Sequence, residues 1–156
     1  MTKDLKYFMR PAAKEDQIVT VPGLESIKDE NGKVIDFEIK KLSNEEIDSI
    51  NKMYETKTLL KDKKGNFVIN NGRAVYKVDR DNGRAARHIM AEALVYPNLK
   101  DEKLMQFFNC NDITLMPYKV FPDNKEFEYV SNKVMEVLNI IEPEDDKEEL
   151  VKEAKN

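Results

Sequence analysis

Side chains that build catalytic and metal sites are scarce in this 156-residue sequence, which has one cysteine, one histidine and no tryptophan. With Cys110 alone, neither an intrachain disulfide nor a cysteine-based zinc cluster can form. With His88 alone, the two-histidine zinc motif is excluded as well. No nucleophile or carboxylate is spaced in the sequence so that its side chain is expected to contact His88. We therefore predict a buried structural thiol at Cys110, a partly exposed helix-face histidine at His88, and a protein that is not an enzyme.

Long apolar runs and phosphate-binding glycine patterns are also missing. No run approaches the roughly 20 apolar residues that a membrane span needs. The N-terminus is too charged for a secretory signal. The five glycines fall in turn-like positions and match neither the P-loop nor the dinucleotide-binding pattern. We expect a cytoplasmic protein with no cofactor, no metal and no membrane partner.

Charge is distributed unevenly along the chain. Residues 142–156 hold seven acids and three lysines, a net charge of -4, so the other 141 residues sum to zero. Residues 52–89 carry ten basic side chains and four acids, a local +6. This basic segment could meet nucleic acid, an acidic protein surface or the chain's own acidic tail. The isoelectric point near 5.2 argues against nucleic-acid binding, as does the lack of a recognisable nucleic-acid-binding motif.

The first third of the sequence predicts a β-hairpin. Residues 18–21 are rich in β-branched side chains, and residues 34–39 end in an apolar and polar alternation. Between them, Asn31 and Gly32 are typical of a type I′ turn, which needs two positive φ angles. On the second strand we expect the apolar side chains to point to one face and the polar side chains to the other.

Helices are predicted from caps and from apolar spacing. Ser43 and Glu46 form a capping-box pattern that predicts a helix over residues 44–56. A second, smaller hairpin fits two turn signals, at residues 63–66 and 70–73, which flank residues 67–69 and are followed by residues 75–78. A helix with a narrow apolar face follows over 84–94 and must stop near Tyr96, because the next residue is proline.

Residues 91–141 contain many packing side chains and little chemistry. They predict helix, proline corner, helix, second proline corner and helix, with Asp101 and Asp123 as caps and Pro117 in the first turn of a short helix. One apolar stripe runs along the last helix: Phe127, Val130, Val134, Val137, Leu138 and Ile141. The predicted fold is α+β and mainly helical, with an N-terminal β-hairpin, a possible second hairpin and a bundle of four to five helices. We predict a flexible N-terminus at 1–13, one domain at 14–141 and an acidic, disordered or weakly helical tail at 142–156.

The order of these elements points to a known family. A hairpin tipped by Asn31-Gly32 leads into Leu42-Ser43-Asn44-Glu45-Glu46, and a polar stretch is followed by Tyr96-Pro97-Asn98-Leu99, Asp101 and Leu104. This arrangement resembles the tail assembly chaperones of the PBSX, XkdN-like type, found in contractile phages, prophages and phage-tail-like bacteriocins. The resemblance covers residues 14–141. Asn109-Cys110 stands where the family pattern suggests a glycine.

The resemblance implies a small, non-enzymatic helper in the host cytoplasm that is absent from the mature particle. It would bind the tape-measure protein and keep it soluble until the tail tube protein polymerises around it, and it would self-associate. The alternative is a small adaptor that binds nucleic acid or another tail structural protein through residues 52–89.

Partner contacts are predicted at the two proline corners, where aromatic and apolar side chains cluster in the sequence. The other interpretation is that most of these side chains belong to the core. The candidates are Tyr96, Leu99, Phe107, Phe108, Tyr118 and Phe121.

Overall fold

The computed structural model describes residues 3–11 and 17–143. Within these ranges the chain forms seven β-strands, five α-helices and one short 3-10 turn. Most of the predicted acidic tail lies outside the described residues, as do residues 12–16. The predicted boundaries near residues 13 and 141 therefore stay predictions.

A three-stranded antiparallel sheet forms the centre of the fold, in the order β1-β2-β7. Strand β1 (Ile18–Val21) pairs with β2 (Phe37–Lys40), which pairs on its other edge with β7 (Leu94–Tyr96). Phe37 and Ile39 are buried, whereas the side chain between them is exposed, because successive strand residues point to opposite faces. The predicted hairpin and its alternation are confirmed.

The turn between β1 and β2 differs from the predicted type. Gly32 has a φ of 78°, but Asn31 is not among the residues with positive φ, so the type I′ prediction is wrong. The Asp29 carboxylate explains the alternative, since it accepts hydrogen bonds from the backbone N–H groups of Asn31 (2.8 Å) and Lys33 (2.9 Å). The backbone N–H of Gly32 donates to the Asp29 carbonyl at 3.0 Å. Only the glycine needs the left-handed conformation.

Helix α1 (Asn44–Met53) begins at the predicted capping box. The Glu46 N–H donates to the Ser43 hydroxyl oxygen at 3.1 Å, and the Ser43 N–H donates to the Glu46 carboxylate at 2.8 Å. The helix ends three residues before the predicted end, because Tyr54 caps it and the chain then enters a strand.

Removal of the Ser43 hydroxyl should weaken this helix. We expect Ser43→Ala to lower the free energy of unfolding by about 1 kcal/mol, because it leaves an N-terminal N–H group without its acceptor. Urea unfolding followed by circular dichroism measures the change. Ser49→Ala is the matched control, since Ser49 is exposed within the same helix and caps nothing. Equal stability of the Ser43→Ala variant and the wild type would contradict the capping role.

Residues 55–80, which we call the arm, follow α1. Strand β3 (Glu55–Leu59) pairs antiparallel with β6 (Tyr76–Arg80). Between these strands, a bridge joins Lys61 to Phe67, and two short strands, β4 (Ile69–Asn70) and β5 (Arg73–Ala74), pair with each other. The predicted second hairpin is confirmed, and it is larger than the sequence indicated.

Helix α2 (Asn82–Ala93) connects the arm to the sheet. The Asp81 carboxylate caps it by accepting from the N–H of Arg84 at 3.0 Å. The helix ends at Ala93, and the next residue, Leu94, has extended dihedral angles and begins β7. The prediction that the helix includes residue 94 is therefore wrong, because pairing with β2 takes this residue into the sheet.

Three further helices complete the predicted set: α3 (Glu102–Phe107), α4 (Met116–Val120) and α5 (Asn124–Val137). Asp101 and Asp123 cap α3 and α5 as predicted, and a proline lies in the first turn of α4. The predicted α+β fold with a helical bundle is confirmed.

The hydrophobic core lies between the sheet, α2 and α5. Val130 and Val134 of the predicted α5 stripe are fully buried. The ring of Phe37 on β2 meets the ring of Phe121 edge to face, with the two centroids 5.9 Å apart. This contact joins the sheet to the segment that follows α4, so the core connects the N-terminal and C-terminal parts of the chain.

Candidate interaction surfaces

The arm exposes an apolar face. All five residues of β3 and all five of β6 are exposed. The register places Leu59 opposite Tyr76 and Lys57 opposite Val78. Because alternate residues of a strand share a face, these four side chains form one surface, with threonines on the opposite face. Three of the four are large and hydrophobic, which is typical of a binding surface.

The tip of the arm combines apolar and basic side chains. Phe67 and Ile69 are both more than half exposed. The Lys61 ammonium lies 5.4 Å from the centre of the Phe67 ring. Residues 55–80 contain seven basic and three acidic side chains, a net charge of +4. A two-stranded ribbon of this kind buries little apolar surface and is marginally stable alone, so a partner that covers it would stabilise it.

Sequence reasoning missed this apolar face. The signal was present, because Lys57 and Leu59 alternate with threonines, and Tyr76 and Val78 alternate with charged residues. Each run is only five residues long, and the register that joins the two runs cannot be read from either of them.

Two arginines of the predicted basic segment lie outside the arm and serve the fold. Arg84 donates to the Thr114 hydroxyl at 3.2 Å and pairs with Asp112 at 3.1 Å. Hydrogen bonds from Thr114 lower the pKa of the Asp112 carboxyl, and the Arg84 charge adds to the effect. Arg87 donates to the Thr114 carbonyl at 2.8 Å. Seven of the ten basic side chains of residues 52–89 lie on the arm.

A groove of about 500 Å³ lies between α1 and α2. Its apolar lining is Leu42, Ile50 and Met53, and its acidic lining is Glu45, Glu46 and Glu92. Burial alone would raise the pKa of Glu92, but its hydrogen bond with Lys100 and the nearby positive charges lower this pKa overall. The groove is therefore lined by both apolar and acidic side chains.

His88 lies at the wall of the groove and is only 9% exposed, so the prediction of a partly exposed histidine is wrong. Tyr54, which follows α1, covers the imidazole, and its hydroxyl lies 2.5 Å from His88 Nδ1. Burial raises the pKa of the Tyr54 hydroxyl. The other ring nitrogen of His88 lies 3.7 Å from the Glu92 carboxylate. The Tyr54 contact joins α1 to α2, whereas the Glu92 contact lies within α2. The expectation that no carboxylate is spaced to meet His88 is therefore wrong, because side chains four residues apart are neighbours on a helix.

Cys110 is buried, as predicted. Its thiol donates to the Asp112 carbonyl at 3.3 Å. Among residues 3–11 and 17–143, no three histidine, cysteine, aspartate or glutamate side chains are grouped so that they could hold a metal ion. Within the same ranges no helix combines the length and the apolar character that a membrane crossing requires.

The six partner-binding candidates fall into three groups: buried, exposed and partly buried. Leu99 is 0% exposed and Phe121 is 2% exposed, so both pack in the core and neither can contact a partner at the surface of this fold. Phe107 is 80% exposed, and Tyr96 and Tyr118 are about half exposed. The remaining candidate, Phe108, is partly buried.

The structure distributes the exposed candidates over separate places. Phe107 packs on its neighbour Phe108, with the ring centroids 4.9 Å apart. Tyr118 packs on Phe127 and lies under the Arg87 guanidinium, which donates to its hydroxyl at 2.8 Å. Tyr96 lies on β7 and pairs with β2. The three exposed aromatics are thus held by different elements.

A further exposed apolar segment lies at residues 3–11. It contains a 3-10 turn (Leu5–Phe8), which the Asp4 carboxylate caps by accepting from the Lys6 N–H at 2.9 Å. The apolar side chains at positions 5, 7, 8 and 9 are at least 68% exposed. This is an unusually continuous run of exposed apolar residues.

Comparison with known proteins agrees with the order of elements. The model of the phage XkdN-like tail assembly chaperone family matches residues 5–155. The phage-like element PBSX protein XkdN of Bacillus subtilis (strain 168) is 30% identical over 153 residues, which cover 98% of this chain and 94% of XkdN. The uncharacterized protein YqbN of the same strain is also 30% identical over 153 residues, or 98% of this chain and 93% of YqbN.

A crystal structure of YqbN has the same fold. The TM-score is 0.65 at 22% sequence identity, and the match covers 89% of this chain and 98% of that chain. Family model, relatives and fold agree over nearly the whole length of the sequence. The chain belongs to the XkdN-like family of phage tail assembly chaperones.

Proposed function

We propose that this protein binds a tape-measure protein and keeps it soluble while a contractile phage-type tail assembles. It acts in the cytoplasm of the host cell, without catalysis, and leaves before the particle is complete. The tail tube protein is a second proposed partner. Family membership supports the chaperone role. The observation that supports a client site on the arm is its apolar face, because every residue of β3 and β6 is exposed.

The chemistry of the arm favours one class of client segment. Leu59, Tyr76 and Val78 offer an apolar surface, and Lys57 shares their face. An amphipathic helix with carboxylates beside its apolar stripe would complement this surface in both polarity and charge. A helix of that kind exposes apolar surface when it is unpartnered, so covering it would prevent its aggregation.

Acidic substitutions on the apolar face should weaken client binding. We expect Leu59→Asp with Val78→Asp to weaken binding by about tenfold or more, because loss of an apolar anchor at an interface costs about 2 kcal/mol. The measurement is the soluble fraction of the tape-measure protein of the same tail when the two proteins are co-expressed. Affinity is then measured on the purified complex.

The control pair lies on the opposite face of the same ribbon. Thr56→Asp with Thr58→Asp adds two carboxylates but leaves the apolar face intact, so client solubility should be retained. Circular dichroism establishes that both double variants are folded. Loss of binding in Phe107→Asp or Tyr118→Asp, with the arm variant still active, would place the client at the proline corners and overturn the arm as its site.

The nucleic-acid adaptor makes a different prediction for the same arm. Phe67 and Tyr76 are exposed aromatics among basic residues, which is a surface on which bases can stack. Binding of an oligonucleotide by the wild type, with an affinity that falls steeply as salt rises, would favour that alternative. Client binding that persists at high salt supports the chaperone.

A further inference from the structure

The groove between α1 and α2 is complementary to the segment at residues 3–11. The groove is lined by three apolar side chains and three glutamates. The segment carries three basic residues, Lys3, Lys6 and Arg10, against Asp4 alone, a net charge of +2. It also carries a run of large apolar side chains that are each at least 68% exposed. The groove and the segment at residues 3–11 are therefore complementary in charge, and both carry apolar side chains.

The segment also enters the fold beside the groove. The Gln17 carbonyl accepts a hydrogen bond from the N–H of Lys41 at 3.0 Å. Lys41 directly precedes Leu42 and Ser43, which line one end of the groove. Five residues, 12–16, join the segment to Gln17, and a chain of five residues can span about 17 Å. A 10-residue helix is about 15 Å long, so a connection of five residues is long enough to match the length of α1.

We propose that residues 3–11 dock into the groove between α1 and α2 of the same chain. Tyr7, Phe8 and their apolar neighbours cover Met53, which is 63% exposed, and the basic side chains approach Glu45. Apolar burial drives the docking, and the charge pairs orient the segment. The docked segment hides apolar surface on both sides, so the groove is closed to other ligands until the segment is displaced. This contact is independent of client binding by the arm.

The lack of tryptophan in the chain makes the contact measurable. In a Phe8→Trp variant the only indole lies in the proposed docking segment. We expect its fluorescence to be quenched by acrylamide severalfold less than that of a Phe107→Trp variant, because residue 107 is 80% exposed on α3. An indole at position 8 that is as accessible as the one at position 107 would overturn the proposal.

Substitutions in the groove separate docking from a general effect of charge. Glu45→Lys with Met53→Lys, added to the Phe8→Trp variant, should make the indole fully accessible, because both changes repel a basic apolar segment. Glu128→Lys with Ile140→Lys is the matched control, since both of these residues are exposed and lie outside the groove. The indole should stay protected in this control, and circular dichroism should show the same fold in both.

Two other results would contradict docking within one chain. Protection that survives the groove substitutions would place the segment elsewhere. Protection that grows with protein concentration would show that the groove of a second copy takes the segment. Protection that is independent of concentration and weakens as salt rises supports the proposal.

Discussion

Replacement of Phe121 by alanine is expected to lower the free energy of unfolding by about 3–5 kcal/mol, as is typical when a buried phenylalanine is truncated in a packed core. The side chain is 2% exposed, and its ring packs edge to face against Phe37 of β2. The substitution removes the apolar contacts and leaves a cavity between the sheet and α4. Since small domains have a total stability of about 5–15 kcal/mol, the variant should unfold at a much lower urea concentration.

The matched control makes the same substitution at the surface. Phe107 is 80% exposed, so Phe107→Ala should change the free energy of unfolding by less than about 0.5 kcal/mol. Urea unfolding of both variants measures the contrast. Both residues were candidates for partner binding on sequence grounds. Similar stabilities for the two alanine variants would show that Phe121 is not part of the core.

A single methyl group at Gly23 is expected to lower the free energy of unfolding by at least about 2 kcal/mol. A Cβ atom at this position would lie 1.8 Å from the carbonyl oxygen of Ile35, and no side-chain rotation can move a backbone oxygen away. The strain would fall on the connection between β1 and β2, next to the buried side chain of Leu24. Urea unfolding of Gly23→Ala measures it.

Gly83→Ala controls for the general effect of replacing glycine. Gly83 lies in the first turn of α2, where the nearest atom to an added Cβ is a side-chain nitrogen of Arg87 at 3.3 Å and not a backbone atom. Alanine favours the helix over glycine by up to about 1 kcal/mol, so this variant should be as stable as the wild type or more stable. A Gly23→Ala variant with unchanged stability would mean that residues 22–36 move aside without cost.

Local interactions explain what could be predicted from the sequence. The caps at Ser43, Asp101 and Asp123 each join groups two or three residues apart, so their pattern is visible in the sequence itself. The alternation that buries Phe37 and Ile39 is likewise a property of consecutive residues. The order of these local elements was enough to indicate the family.

Contacts between distant residues explain what could not be predicted. Leu94 continues an alanine-rich helical pattern, and only its pairing with Ile39 makes it a strand residue. The burial of His88 depends on Tyr54, and that of Phe121 on Phe37. Composition identifies such side chains as good packing residues, but it does not say whether they face the core or a partner.

The direct passage of α2 into β7 gives the arm a mechanical connection to the sheet. The arm ends at Arg80, α2 begins at Asn82, and β7 begins immediately after Ala93. A helix of 12 residues is a strut about 18 Å long, and it is stiff along its axis. A force applied to the arm is therefore transmitted through α2 to the central sheet. To swing the arm, the protein must unwind an end of α2 or break the hydrogen bond from the Asp81 N–H to the Tyr54 carbonyl.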